Sequence, residues 1–497
     1  MRGVGIRCFV LGLTLALAAA AAPAALAAPI PDPSPTTLPP AVGAPATPHA
    51  LPRSHPPRNR FMAASPWSNL HNDPWMTDAY DTPGPLGRTP QASSGAFPPG
   101  LCGSLTFDSK GRIVTVCPSF ASPITARVID PVTLTARSTS VLGPPNEGGP
   151  GAYQNFTGGG YFFLDARDRI WSATKAGHLV VLAQREDGRR LVKAADYDLT
   201  GALAADERVT SALPDFAGRI WFVTKQRGTV GVLDTKTRAV RTLRLGERIQ
   251  NSFAVDRDGV YIASDKRLYR FRADRRGRPR VVWKVTYRNS GIQKPGQADA
   301  GTGTTPTLMD GGYVTITDNA DPMNVVVYRK AAELRRGQRR TVCEVPVFGK
   351  GASATENSII AAGRSLFVEN NFGYQDPFGP QAGALTQPGM ARVDVRADGS
   401  GCTKVWTSAD VRPPTVVSKL STRTGLIYSY ERVDAPAGQQ PWYWTAIDAR
   451  TGRTAFKRYA GSGLAFNNNY AGIALGPDGA AYLGTIGGIV KLADGPA

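Results

Sequence analysis

The sequence predicts an all-β chain closed into a propeller of eight four-stranded blades, with seven as the alternative. Three observations carry that prediction. A strand, a tight turn with Asp or Gly, and a second apolar strand recur along the chain. The recurrence has a period of about 40 to 60 residues, the scale of one blade. The last copy, from Tyr470 to Leu492, has room for three strands, so a fourth must come from before Cys102. Such closure suits a ring, which leaves few exposed sheet edges.

The chain opens on a secretory pattern. Arg2 and Arg7 precede an apolar run from Phe9 to Ala22, and Ala25-Leu26-Ala27 offers a small-residue cleavage site. Residues 1–27 therefore read as a signal peptide and the protein as secreted, extracellular or wall-associated. The run is shorter than the roughly 20 residues that span a bilayer, and no later stretch is apolar enough to cross one. Residues 28–60 are rich in proline, which lacks a backbone donor and favours extended chain. They are expected to form a disordered tether. Residues 61–100 are too aromatic for a linker, with Trp67, Trp75 and Tyr80 among Asn69, His71, Asp73 and Asp78. They are expected to supply the closing strand and a flap across the mouth of the ring. Residues 101–497 are the propeller, expected as a monomer.

The repeat is clearest in its first four copies. Phe107-Asp108 leads to Gly111-Arg112-Ile113-Val114, and Leu164-Asp165 to Asp168-Arg169-Ile170-Trp171. Pro214-Asp215 leads to Gly218-Arg219-Ile220-Trp221, and Val255-Asp256 to Asp258-Gly259-Val260-Tyr261. Asp and Gly tolerate hairpin-turn conformations, and β-branched and aromatic residues favour the flanking strands. Weaker copies follow at Asp310, Gly363, Arg423 and Pro477. A second signature lies later in some copies, at Val232-Leu233-Asp234-Thr235 and at Ala446-Ile447-Asp448-Ala449-Arg450-Thr451-Gly452. With these turns the body resembles the quinoprotein-like (PQQ-type) eight-bladed propeller superfamily, and the resemblance implies the fold. In its quinone-dependent members a tryptophan motif in each blade, and often a vicinal cysteine pair, accompany the cofactor. This chain has neither, so a quinone cofactor is not supported.

Four of the five cysteines follow the signal, an even number in an exported chain. Cys102 and Cys117 are equidistant from the turn centre at Ser109-Lys110, so a regular hairpin places them opposite each other. Cys343 and Cys402 remain as a second disulfide at the outer rim. The formal net charge is +19. Such a surface attracts anionic wall polymers. The scattered arginines form no aromatic-interleaved patch, so no nucleic-acid partner is expected.

Propeller topology sends every inner-strand start, and every turn between second and third strands, to one mouth. The starts carry Gln154-Asn155, Gln250-Asn251, Thr304-Thr305, Glu356-Asn357 and Asn467-Asn468-Asn469. The turns carry Lys175, Lys225, Asp318-Asn319 and Glu369-Asn370-Asn371. Glu356 and Asp318 are the candidate catalytic residues. Asn155, Asn251, Asn319, Asn357, Asn371, Asn469, Lys175 and Lys225 are the candidate ligand contacts. Glu356, Asp318 and Asn357 form the candidate metal set, because oxygen-rich sites suit Ca²⁺ or another divalent cation. Such a cation would polarise a lactone, ester or glycosidic oxygen, which makes a metal-assisted hydrolase or lyase the leading reading. A non-enzymatic module binding a small molecule, glycan or wall polymer is the alternative, and a quinone-dependent oxidoreductase the third. A Ser-His-Asp triad would need His71 or His178.

Overall fold

The computed structural model describes Met1 and residues 25–97, 100–147, 159–379 and 381–496. The signal sequence therefore lies almost wholly outside the described residues. Eight sheets, seven of four strands and one of six, make a β-propeller of eight blades. The inner strands of blades 1 to 8 are Ser104–Phe107, Phe162–Leu164, Val209–Pro214, Ala254–Asp256, Thr307–Met309, Ile360–Ala362, Lys419–Ser421 and Ile473–Leu475. No helix among the described residues is long and apolar enough to cross a membrane.

The repeated Asp has a local physical role. Asp165 Oδ1 accepts the backbone N–H groups of Arg167 and Arg169, and its Oδ2 accepts Arg169 Nε at 2.7 Å and Trp171 Nε1 at 2.8 Å. Asp215 repeats the set with Ala217, Arg219 and Trp221, and Asp108 holds Lys110 and Arg112 in the same way. One carboxylate thus satisfies turn donors that a hairpin leaves unpaired and ties down the next strand's aromatic residue.

The ring closes as its sequence requires. Pro90–Ala96 supplies the outer strand of blade 8, pairing antiparallel with Gly488–Asp494 from Pro90↔Asp494 to Ala96↔Gly488. Both disulfides are present, Cys102–Cys117 in blade 1 and Cys343–Cys402 between the outer strands of blades 5 and 6. The hairpin register differs from the expected one by a residue: Ser104 pairs with Val116. The ladder slips back at Gly103, where Leu101 N donates to Pro118 O, and this restores Cys102 to Cys117.

Two N-terminal segments depart from expectation. Residues 28–60 do not trail away as a disordered tether but lie along the propeller. Ala41–Gly43 adds a strand outside blade 7. Leu51 N donates to Thr422 O, and Asn59 Nδ2 to Pro214 O. Proline gives up its donor but keeps its carbonyl, and the propeller supplies donors: Tyr443 OH to Pro39 O and Tyr459 N to Pro40 O. Residues 67–80 do not lie over the mouth as a flap; they form a plug inside the channel. The carbonyls of Ser68, Pro74, Trp75, Thr77 and Asp78 accept N–H groups from the inner strands of blades 2, 4, 5, 6 and 7. Inner-strand edges facing a channel carry unspent donors, and an extended segment of acceptors satisfies them. The plug separates a cavity of about 280 Å³ at the mouth from one of about 270 Å³ on the turn face.

Candidate active site

The mouth cavity has a floor contributed by the plug and walls contributed by the blades. Leu70 and His71 form the floor, and Ser104, Tyr161, Glu356, Asn357 and Asn469 stand in the walls. His71 is 3% exposed. Its backbone N–H is held by Asn69 Oδ1, and its Nδ1 lies 3.0 and 3.1 Å from the two carboxylate oxygens of Asp78. A carboxylate only accepts, so in the neutral imidazole Nδ1 carries the proton and Nε2 keeps its lone pair. Nε2 lies 3.4 Å from Thr305 Oγ1, at the start of blade 5.

Asp78 is fully buried and also holds Lys419 Nζ. Burial alone would push its carboxyl up; the Lys419 charge and the hydrogen bonds from His71 and Lys419 outweigh that and keep it below the ordinary value. Lys419 is pulled down by its own burial, with Asp78 opposing. Its ammonium further donates to Leu70 O at 2.7 Å, which fixes the floor.

Glu356 stands in the cavity wall. Its backbone N–H donates to Asn371 Oδ1 at 2.9 Å, and Asn371 also receives the Thr355 hydroxyl. Gly303 packs against this bend so closely that a Cβ there would come within 1.9 Å of Thr355 O. Glu356 Oε2 accepts the Ala298 N–H at 2.9 Å, while Oε1 is buried without a hydrogen-bond partner. Burial pushes the carboxyl up to about 8; the Ala298 N–H and Lys225 act against this, and Asp299 adds to it. Glu356 is therefore a neutral acid at neutral pH, able to donate a proton. Tyr161 is pushed up by burial and by Glu356, and its hydroxyl donates to Asn251 Oδ1 at 3.2 Å. Glu369, expected at the same mouth, is buried behind the wall on Ser418 Oγ at 2.9 Å, and burial pushes it up to about 8.

The structure brings Glu356, Asn357 and Asn469 to the cavity and Asn251 to its edge through Tyr161. Asn371 braces Glu356 from behind. Asp318 is not brought there. Its Oδ1 accepts the N–H groups of Ala320 and Asn324, and its Oδ2 accepts Asn324 Nδ2, so its own turn consumes the carboxylate. Asn319 likewise donates to Asn289 Oδ1 and Ile292 O. Lys175 donates to Pro145 O and pairs with Glu147, on either side of the lining residue Asn146, without itself lining the cavity. Lys225 is within electrostatic reach of Glu356 without lining the cavity. Asn155 lies outside the described residues. His178 pairs with Asp196 on blade 2.

The metal set is not assembled. Glu356 is the one carboxylate among the described lining residues, and among the described residues no group of three or more His, Cys, Asp or Glu could hold a metal ion. A hard cation here would lack the anionic ligands it selects. The dyad of His71 and Asp78 was the larger omission from the sequence reading. Its signal was a histidine and several acids crowded into an aromatic segment, together with Lys419 alone in the apolar run Val416-Val417-Ser418-Lys419-Leu420.

No family model matches the chain. An uncharacterized protein of Archaeoglobus fulgidus is 27% identical over 367 residues, spanning 67% of this chain and 68% of that protein. Among solved structures, a streptogramin B lyase aligns with TM-score 0.39 and 12% identity over 81% of this chain and 96% of its own. Virginiamycin B lyase from Staphylococcus aureus gives 0.37 and 12% over 69% and 95%. The WD40 repeats of RRP9 give 0.39 and 6% over 76% and 98%. At these scores the likenesses carry no argument about chemistry.

Proposed function

We propose that the mouth cavity is the active site of a hydrolase or lyase that works by general acid–base chemistry at an ester, lactone or glycosidic oxygen. One observation carries the reading: a carboxylate-oriented histidine and a buried glutamic acid line one small cavity. His71 Nε2 takes a proton, from water in a hydrolysis or from carbon in an elimination. Asp78 holds the imidazole and stabilises the imidazolium that forms. Glu356 donates its proton to the departing oxygen.

The test is turnover of a panel of lactones, esters and glycans by the wild type and by His71→Ala and Glu356→Gln. Turnover that both variants lose, with folding intact, supports the reading. Turnover that survives in both places the chemistry elsewhere. A second reading, a cavity that only holds a ligand, is favoured by the aromatic residues Tyr161, Tyr470, Phe120 and Phe378 around it. It predicts binding without turnover of any panel member.

A further inference from the structure

We infer that the substrate of this cavity is uncharged and largely apolar, an ester or lactone bearing a hydrocarbon or aromatic group, and neither a glycan nor a phosphorylated sugar. The inference rests on the acid–base reading for its reacting group, and on the walls for everything else. Leu70, Leu101, Phe120, Phe378, Val417 and Ile486 supply large apolar side chains to the lining, and no Lys or Arg is among the described lining residues. Glu356 is neutral below about pH 8. A phosphate or carboxylate entering this space would give up its hydration without meeting a cation.

Several polar atoms of the wall are committed. The Ser104 hydroxyl is spent on Gly160 O, Asn469 Oδ1 on the Tyr374 hydroxyl and Asn357 Nδ2 on Val416 O. Glu356 Oε1 and Asn357 Oδ1 are the buried atoms without partners on the wall among the described residues. The protonated Glu356 matches the oxygens of a single ester group, which brings acceptors alone, and Asn357 Oδ1 is left to accept from the attacking water. A sugar ring brings several hydroxyls, each costly to bury unpaired.

The entrance agrees with the walls. Phe120 follows the second strand of blade 1, and Phe378 sits in the loop between the second and third strands of blade 6. They meet edge to face with centroids 6.1 Å apart. Both stay substantially exposed, at 40% and 47%. Aromatic faces left in water at a cavity mouth gain when an apolar group covers them.

Isothermal titration of the full mature chain with γ-lactones of increasing alkyl length, from γ-butyrolactone to γ-dodecalactone, tests this, with 6-phosphoglucono-δ-lactone as the charged arm. Affinity is expected to rise about fourfold per added methylene until the cavity is filled. Phe378→Ala should lose most of that gain. The phosphorylated lactone should not bind. Preferential binding of the phosphorylated lactone, or affinity independent of chain length, overturns the inference, as does failure of every lactone to bind. Turnover read in parallel separates the two proposals. Long lactones that bind but never turn over sink the acid–base reading and leave the ligand class standing. Turnover of hydrophilic substrates alone does the reverse.

Discussion

Lys419, on the inner strand of blade 7, meets Asp78 of the plug, and solvent reaches neither side chain. The two lie 341 residues apart in sequence, so this pair fastens the N-terminal segment into a ring built from the rest of the chain. A buried charge whose partner is removed is strongly destabilising, by about 3–5 kcal/mol, whereas removing both charges is far milder. Lys419→Met should therefore lower stability by an amount of that order. Asp78→Asn combined with Lys419→Met should recover much of it. Urea denaturation of the three proteins measures both effects.

The same carboxylate orients His71, so stability and chemistry separate only at the histidine. His71→Ala leaves the Asp78–Lys419 pair in place. It should lower kcat by about 10²–10⁴-fold, the usual worth of a positioned acid–base group, with ligand affinity changed little. Single-turnover kinetics beside a binding isotherm reads the two separately. Equal losses in binding and in kcat would assign His71 to packing.

Much of this arrangement could be read from local sequence, because local rules produce it. The Asp turns are short-range hydrogen-bond patterns, and each carries its partners within a few residues, as Asp165 does with Arg169 and Trp171. Placing Glu356, Asn357 and Asn469 at one mouth needed only the alternation of strand direction. Asp318 shows where that logic stops. In sequence it ends a strand at the same mouth, but its oxygens are claimed by amides two and six residues ahead. The plug was harder still, since its partners are inner-strand N–H groups spread over five blades. Proline-rich composition suggested disorder because composition records missing donors on one segment and is blind to donors waiting on another.

The Cys102–Cys117 disulfide should act on the cavity as well as on stability. It closes a loop of separation 15, for which the chain-entropy account gives about 3 kcal/mol. Its neighbours Leu101, Gly103 and Pro118 all line the mouth cavity. The double substitution Cys102→Ala with Cys117→Ala should lower stability by about that amount and raise KM more than it lowers kcat. Non-reducing peptide mapping establishes the bond, and steady-state kinetics reads the rest.

Activity should fall as pH rises through about 8. The proposed acid works only while protonated, and Glu356 holds its proton up to about that value because burial disfavours its anion. Glu356→Gln keeps the shape and removes the proton, so its residual activity should lose this alkaline limb. A pH profile of kcat/KM for both proteins checks this; an alkaline limb unchanged in the variant would belong to another group.

Stability should also fall with rising pH, against the usual behaviour of proteins whose carboxylates are paired. Burial raises three carboxyls in the folded state: Glu356 and Glu369 to about 8, and Asp73 to about 7. In the unfolded chain they would ionise near 4.5 and 3.8. Between those limits the folded protein binds more protons than the unfolded one, so each pH step upward favours unfolding. Their contribution is fully present below about pH 4 and is lost progressively as pH approaches 8. Asp78 runs the other way, because its lowered pKa makes it lose stability only on acidification. The melting temperature should therefore be higher near pH 5 than near pH 8. Glu369→Gln, which keeps an acceptor for the Ser418 hydroxyl, should flatten part of that slope without touching the cavity floor. Differential scanning calorimetry at the two pH values measures both slopes, and a melting temperature that climbs from pH 5 to pH 8 would mean these carboxyls are ionised in the folded protein.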